Sequence, residues 1–144
     1  MKKITLTIVI SLLCAFTFIE AQTPFTKDSL SVSSIIGLNE KTNYKDYQVK
    51  FKNVISDSRC PKEVMCIRAG EAKVRLALYK NGAFISDKII IIDASGYVIE
   101  DNNLAFNADD FKIYGMALTP YPKTTAAIPK KEYHLEIVFQ PKRL

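Results

Sequence analysis

Cys60 and Cys66 are the residues of this chain whose type and spacing bear most directly on chemistry. They enclose five residues in the run Asp57-Ser58-Arg59-Cys60-Pro61-Lys62-Glu63-Val64-Met65-Cys66. Two thiols can form a redox couple, hold a metal or close a structural disulfide. Redox dithiols usually sit two residues apart ahead of a helix, and structural zinc takes four ligands. Here the spacing is wider, and His134 is the sole histidine. The expectation is a structural disulfide, with no metal and no cofactor. In the chain-entropy account, closing so short a loop contributes about 2–2.5 kcal/mol.

The neighbouring residues fit a shaped loop. Asp57 and Ser58 carry oxygens that accept from backbone N–H groups just downstream. Pro61 fixes φ beside the first cysteine. Arg59 has Asp57 as its near carboxylate. Arg59, Lys62, Glu63, Val64, Met65 and Arg68 are the candidate binding loop, and rigid display would lower the entropy lost on binding a partner.

Other chemistry is thin. His134 falls beside Glu136 on the polar side of an alternating run, and no motif supplies a nucleophile or an orienting group. Asp101, Asp109 and Asp110, with Asn102, Asn103 and Asn107, form an oxygen-rich stretch. Calcium favours such ligands, but the glycine and terminal glutamate of the twelve-residue calcium loop are absent. The stretch reads as a polar connection. There is no phosphate-cradling glycine run, no Gly-x-Ser-x-Gly elbow and no zinc-protease helix motif. No catalytic residue is named, and the expectation is a protein that is not an enzyme.

The compartment follows from the first residues. Met1-Lys2-Lys3 is a short basic start, Ile4 to Ile19 is almost wholly apolar, and Ala21 offers a small residue before Gln22. That order predicts a signal peptide over residues 1–21. A lipid anchor at Cys14 is the lesser alternative, because bulky Leu13 precedes it and apolar residues run well past it. The expected location is secreted, periplasmic or cell-envelope, and no later segment is apolar and long enough to span a bilayer. Cleavage would remove Lys2, Lys3 and Glu20, taking the formal charge of +5 to +4. So mild a basic balance falls short of a nucleic-acid footprint.

The elements that must position the loop read as strands. Residues 22–29 form a flexible lead-in, and 30–144 one domain. Tyr47, Val49, Phe51 and Ile55 take one side of a run whose other side is polar. Ala72, Val74, Leu76 and Leu78 alternate in the same way. Asn81-Gly82 tolerates the positive φ of a tight hairpin, which pairs roughly 71–80 with 83–92. The four consecutive isoleucines 89–92 suggest a strand covered on both faces. Residues 111–118 lose their alternation near Gly115, as a bulge would cause. Tyr133, Leu135, Ile137 and Phe139 form a final strand, Leu30 to Gly37 a weaker first one, and residues 107–110 a short turn. About seven strands predict an all-β, antiparallel β-sandwich, with an Ig-like form or a small barrel as variants.

Asp57-Ser58-Arg59-Cys60-Pro61, followed by Val64, Cys66 and Ala69-Gly70-Glu71-Ala72, resembles the signature of a family of small bacterial secreted or lipid-anchored proteins of uncharacterised function. The later Ala117-Leu118-Thr119-Pro120-Tyr121-Pro122 and Tyr133-His134-Leu135-Glu136-Ile137-Val138 are similar too. The resemblance covers about residues 47–139. Where that family usually carries Trp before Ala-Gly, this chain has Arg68. It implies no catalytic residue, cofactor or substrate. The expected role is therefore a non-enzymatic binding or structural module of the envelope or extracellular space, its partner a protein or envelope component. An alternative is an extracellular protease inhibitor presenting the Cys60–Cys66 loop or the 119–129 connection.

Overall fold

Eight strands in two four-stranded sheets make up nearly all the regular secondary structure of the computed structural model, which describes residues 30–95 and 100–142. The strands are β1 (Val32–Gly37), β2 (Lys41–Tyr44), β3 (Tyr47–Asp57), β4 (Glu71–Lys80), β5 (Ala83–Asp93), β6 (Leu104–Asn107), β7 (Phe111–Thr119) and β8 (His134–Pro141). A four-residue helix, α1 (Glu100–Asn103), precedes β6, and one 3-10 turn (Lys130–Glu132) precedes β8. The predicted signal peptide, its Cys14 and the lead-in lie outside the described residues.

One sheet has the order β2-β3-β4-β5 and the other β1-β8-β7-β6, with every neighbouring pair antiparallel. This is an up-and-down course flattened into two layers. The first and last strands meet, with Val32 opposite Phe139 and Gly37 opposite His134. The all-β sandwich reading holds. The two strands not named from the sequence, β2 and β6, are both short. Lys-Thr-Asn-Tyr (β2) is mostly polar, and Leu-Ala-Phe-Asn (β6) pairs through an irregular register. Four residues are too few for alternation to register.

The inward faces of the sheets form one core. Val49, Phe51, Val54, Val74, Leu76, Ile90, Ile113, Leu135 and Ile137 are all buried in it. Tyr44 stacks on Phe139 with ring centroids 4.7 Å apart, and meets Phe111 edge-on at 5.1 Å. Tyr47 adds a second edge contact to Phe111 at 5.2 Å. These rings close the end of the sandwich where β8 finishes.

The Asn81-Gly82 hairpin forms as expected, with φ of 49° and 79°, and joins β4 to β5 with Lys80 opposite Ala83. The bulge near Gly115 is present as a register shift between Gly115 and Ala117. Buried Asn103 holds it, its Nδ2 donating to the Gly115 carbonyl at 2.9 Å. The turn expected over 107–110 is the β6–β7 link, closed by Ala108 N–H donating to the Phe111 carbonyl.

Two local expectations need correction. In β3 the register shifts between Phe51 and Asn53 and again between Val54 and Ser56. Each shift flips the side chains that follow, so Val54 enters the core and Ile55 turns outward. The isoleucine run is not covered on both faces. β5 is an edge strand; Ile90 and Ile92 point into the core, while Ile89 is half exposed.

Candidate functional site

The loop between β3 and β4 and the connection between β7 and β8 meet at one end of the sandwich. The loop begins as a continuation of the β3–β4 ladder. Ser58 N–H donates to the Glu71 carbonyl at 2.8 Å, and Cys60 N–H to the Ala69 carbonyl at 2.7 Å. The Ser58 hydroxyl also donates to the Glu71 carbonyl and accepts from Glu71 N–H. Gly70 lets the second stem pass this close. Its φ is +76°, and a Cβ there would lie 1.9 Å from the Ser58 carbonyl oxygen.

The disulfide expected from the spacing is formed. Cys60 and Cys66 are bonded, with Cα atoms 6.0 Å apart. Val64 N–H donates to the Pro61 carbonyl within the closed loop. Lys62 N–H donates to the Pro122 carbonyl at 3.1 Å, and Glu63 N–H to the Lys123 carbonyl at 3.0 Å. These two bonds fasten the loop to the 119–129 connection. The two segments that the sequence offered as separate candidates are one surface.

Arg59 is the keystone beneath it. The residue is 4% exposed. Its Nε and one terminal nitrogen donate to the two carboxylate oxygens of Asp57, at 2.8 and 2.6 Å. This side-on pairing is the strong form of a charge-assisted bond. The guanidinium also donates to the carbonyls of Leu118 and Pro120, at 2.5 and 3.1 Å, and lies 5.0 Å from the ring centre of Tyr121. Tyr133 completes the cluster by donating its hydroxyl to Asp57 at 3.0 Å. Asp57 further accepts from the Arg59 backbone N–H, the local turn anticipated for it. One arginine thus ties the β3 end, the β7 end and the start of the connection together.

Burial by itself would push the Asp57 carboxyl up. The hydrogen bonds and charge of Arg59, with the Tyr133 hydroxyl, outweigh it and hold the carboxyl below its usual 3.8. Tyr133 is pushed up to about 12, first by burial and then by its bond to the Asp57 carboxylate. A raised phenol pKa favours the neutral form in the fold. The corresponding stability is fully present below pH 10 and disappears as pH rises through about 12. Ultraviolet titration of the phenolate should therefore show one tyrosine ionising near 12, and Tyr133→Phe should abolish that step.

The candidate binding residues fall into two groups. Arg59 faces inward, held as described. Lys62, Glu63, Val64, Met65 and Arg68 are all exposed at the tip, with Met65 fully so. Ile67, which the sequence reading passed over, is as exposed as Met65. The cue available was an apolar residue directly after a cysteine that closes a loop. Beside the tip, a groove of about 330 Å³ runs between the end of β3 and the connection, lined by Val54, Ile55, Asp57, Pro122, Ile128 and Tyr133 among others.

His134 lies outside this cluster. It is exposed, and its Nδ1 donates to the Glu132 carbonyl at 2.9 Å. Asp110 pairs with Lys45 at the opposite end, and no group of three acidic, histidine or cysteine side chains is placed to hold a metal among the described residues.

The bridge itself invites a stability test. Replacing both cysteines by serine should lower the unfolding free energy by about 2–2.5 kcal/mol in the chain-entropy account. The other loop fastenings persist, so far-ultraviolet circular dichroism of the variant should match the parent.

No protein-family model, curated protein or solved structure matches the chain. No helix among the described residues is long and apolar enough to cross a membrane.

Proposed function

We propose that this chain is an exported, non-enzymatic binding module whose contact surface is the disulfide tip together with the 119–129 connection. The observation that carries the reading is the contrast within the loop. Its backbone is fixed by a disulfide and by cross-bonds to a second segment. Its side chains Val64, Met65 and Ile67 stand out in water. Exposed aliphatics on a rigid support mark a place of contact, because little order has to be created on binding. Export is supported by the basic-then-apolar first residues and by the disulfide, which persists in oxidising compartments. The buried ionisable cluster is consumed by its own hydrogen bonds and serves to shape the loop.

Protease inhibition is the second reading, favoured by the same fixed and protruding backbone with Lys62 and Met65 displayed. The test is common to both. Met65→Asp with Ile67→Asp should leave the melting temperature unchanged and abolish partner binding. Inhibition of a protease that is lost on Lys62→Ala or Met65→Ala would select the second reading. Binding untouched by every tip substitution would reject this surface.

A further inference from the structure

We propose that the partner of the tip is an anionic bilayer, into whose interfacial layer Val64, Met65 and Ile67 are set. The proposal rests on the reading of this end as the contact surface and names the class of its partner.

Shape is the first argument. Three aliphatic residues at the crest of a narrow loop offer far less area than the roughly 800 Å² per side of a standard protein interface. No aromatic side chain lies between Cys60 and Gly70, the chain has no tryptophan, and Tyr121 of the adjoining connection is half-buried against Arg59. Protein interfaces draw their strongest anchors from such residues. A lipid layer is fluid and needs no matching shape. It accepts a convex apolar crest whose flanks are polar.

Support from below is the second. An inserting crest must keep its side chains out of its own core while still in water. The Cys60–Cys66 bridge and the bonds from Lys62 and Glu63 to the connection do this.

Charge is the third. Lys62 and Arg68 flank the crest, and Lys123 is exposed on the adjoining connection; Glu63 is the acid among them. Long cationic side chains can reach headgroup phosphates while shorter apolar ones go deeper.

Absence of tryptophan makes a site-specific test possible. Met65→Trp places one fluorescent reporter on the crest of the full chain. Ala83→Trp places it beside the Asn81-Gly82 hairpin, at the other end of β4. With vesicles of phosphatidylcholine and phosphatidylglycerol, the reporter at 65 should shift to the blue and be quenched by lipids brominated on the acyl chain. The reporter at 83 should do neither, so attachment through another part of the chain is recognised. Adding Val64→Asp and Ile67→Asp to Met65→Trp should raise the lipid needed for half-maximal quenching about tenfold or more. Pure phosphatidylcholine, or roughly 0.5 M salt, should weaken quenching through loss of the charge attraction. Equal melting temperatures would establish that the variants fold.

A reporter at 65 that stays in water, or is quenched no more than the one at 83, overturns the proposal. If Met65→Asp with Ile67→Asp then abolishes binding to a protein, the lipid proposal falls and the contact-surface reading stands. If that pair alters neither lipid nor protein binding, both fall.

Discussion

Asp57→Ala should lower the unfolding free energy by about 3–5 kcal/mol, the range for removing one partner of a buried ion pair. The Arg59 guanidinium would remain buried with its charge uncompensated, and the Tyr133 hydroxyl would lose its acceptor. The melting temperature should fall by about 10–20 °C. Adding Arg59→Met should recover part of the loss, because the stranded charge leaves with it. The Leu118 and Pro120 carbonyls would still lack their donor. Urea and thermal melts of the parent, Asp57→Ala, Arg59→Met and the double variant measure the coupling. A single variant within about 1 kcal/mol of the parent would remove Arg59 from its central place. The acid limb offers a second measure. The Asp57 carboxyl lies below 3.8 in the fold, so its stability is present above that pH and is lost as pH falls through the folded value. The parent should therefore lose stability below about pH 4 more steeply than Asp57→Asn.

Gly70→Ala should be nearly as damaging. A left-handed backbone disfavours a side chain by about 1–2 kcal/mol, and overpacking typically adds about 1–3 kcal/mol. Here the obstacle is the Ser58 carbonyl oxygen, which cannot rotate away as a side chain could. The expected total is about 2–5 kcal/mol. Gly82→Ala is the control. Its φ is +79°, but no atom lies within 4 Å of the added carbon. It should show the backbone part alone, about 1–2 kcal/mol. Equal effects at the two glycines would mean that the stems separate freely. Ala69-Gly70 would then have no steric reason to be where it is.

Period-two alternation carried most of the fold. It works wherever one face is buried and the strand runs straight, as in Ala72 to Leu78 and Leu135 to Phe139. It failed at Ile55 because a bulge adds a residue without any mark in the side-chain pattern. The isoleucine run misled at Ile89 because hydrophobicity reports what a strand can bury, whereas an edge position is decided by the order of the other strands. At the site, nearness in sequence was enough to pair Arg59 with Asp57. The carbonyls of Leu118 and Pro120 and the hydroxyl of Tyr133 are about sixty to seventy-six residues away, and only the folded sheets bring them in. The same distance hid the union of the loop with the connection.

The meeting of β1 and β8 sets where attachments can go. Val32 lies opposite Phe139, and Lys142 N–H donates to the Asp110 carbonyl, both away from the Thr119–His134 pair near the disulfide. Residues 32 and 142 thus leave the sandwich from the pole opposite the tip. A dye, a bead or a fused domain joined at either place should hold the molecule by its back and leave the disulfide tip free. The two places also adjoin, so a short linker between them, with the chain reopened at Asn81-Gly82, should give a permuted protein of the same fold.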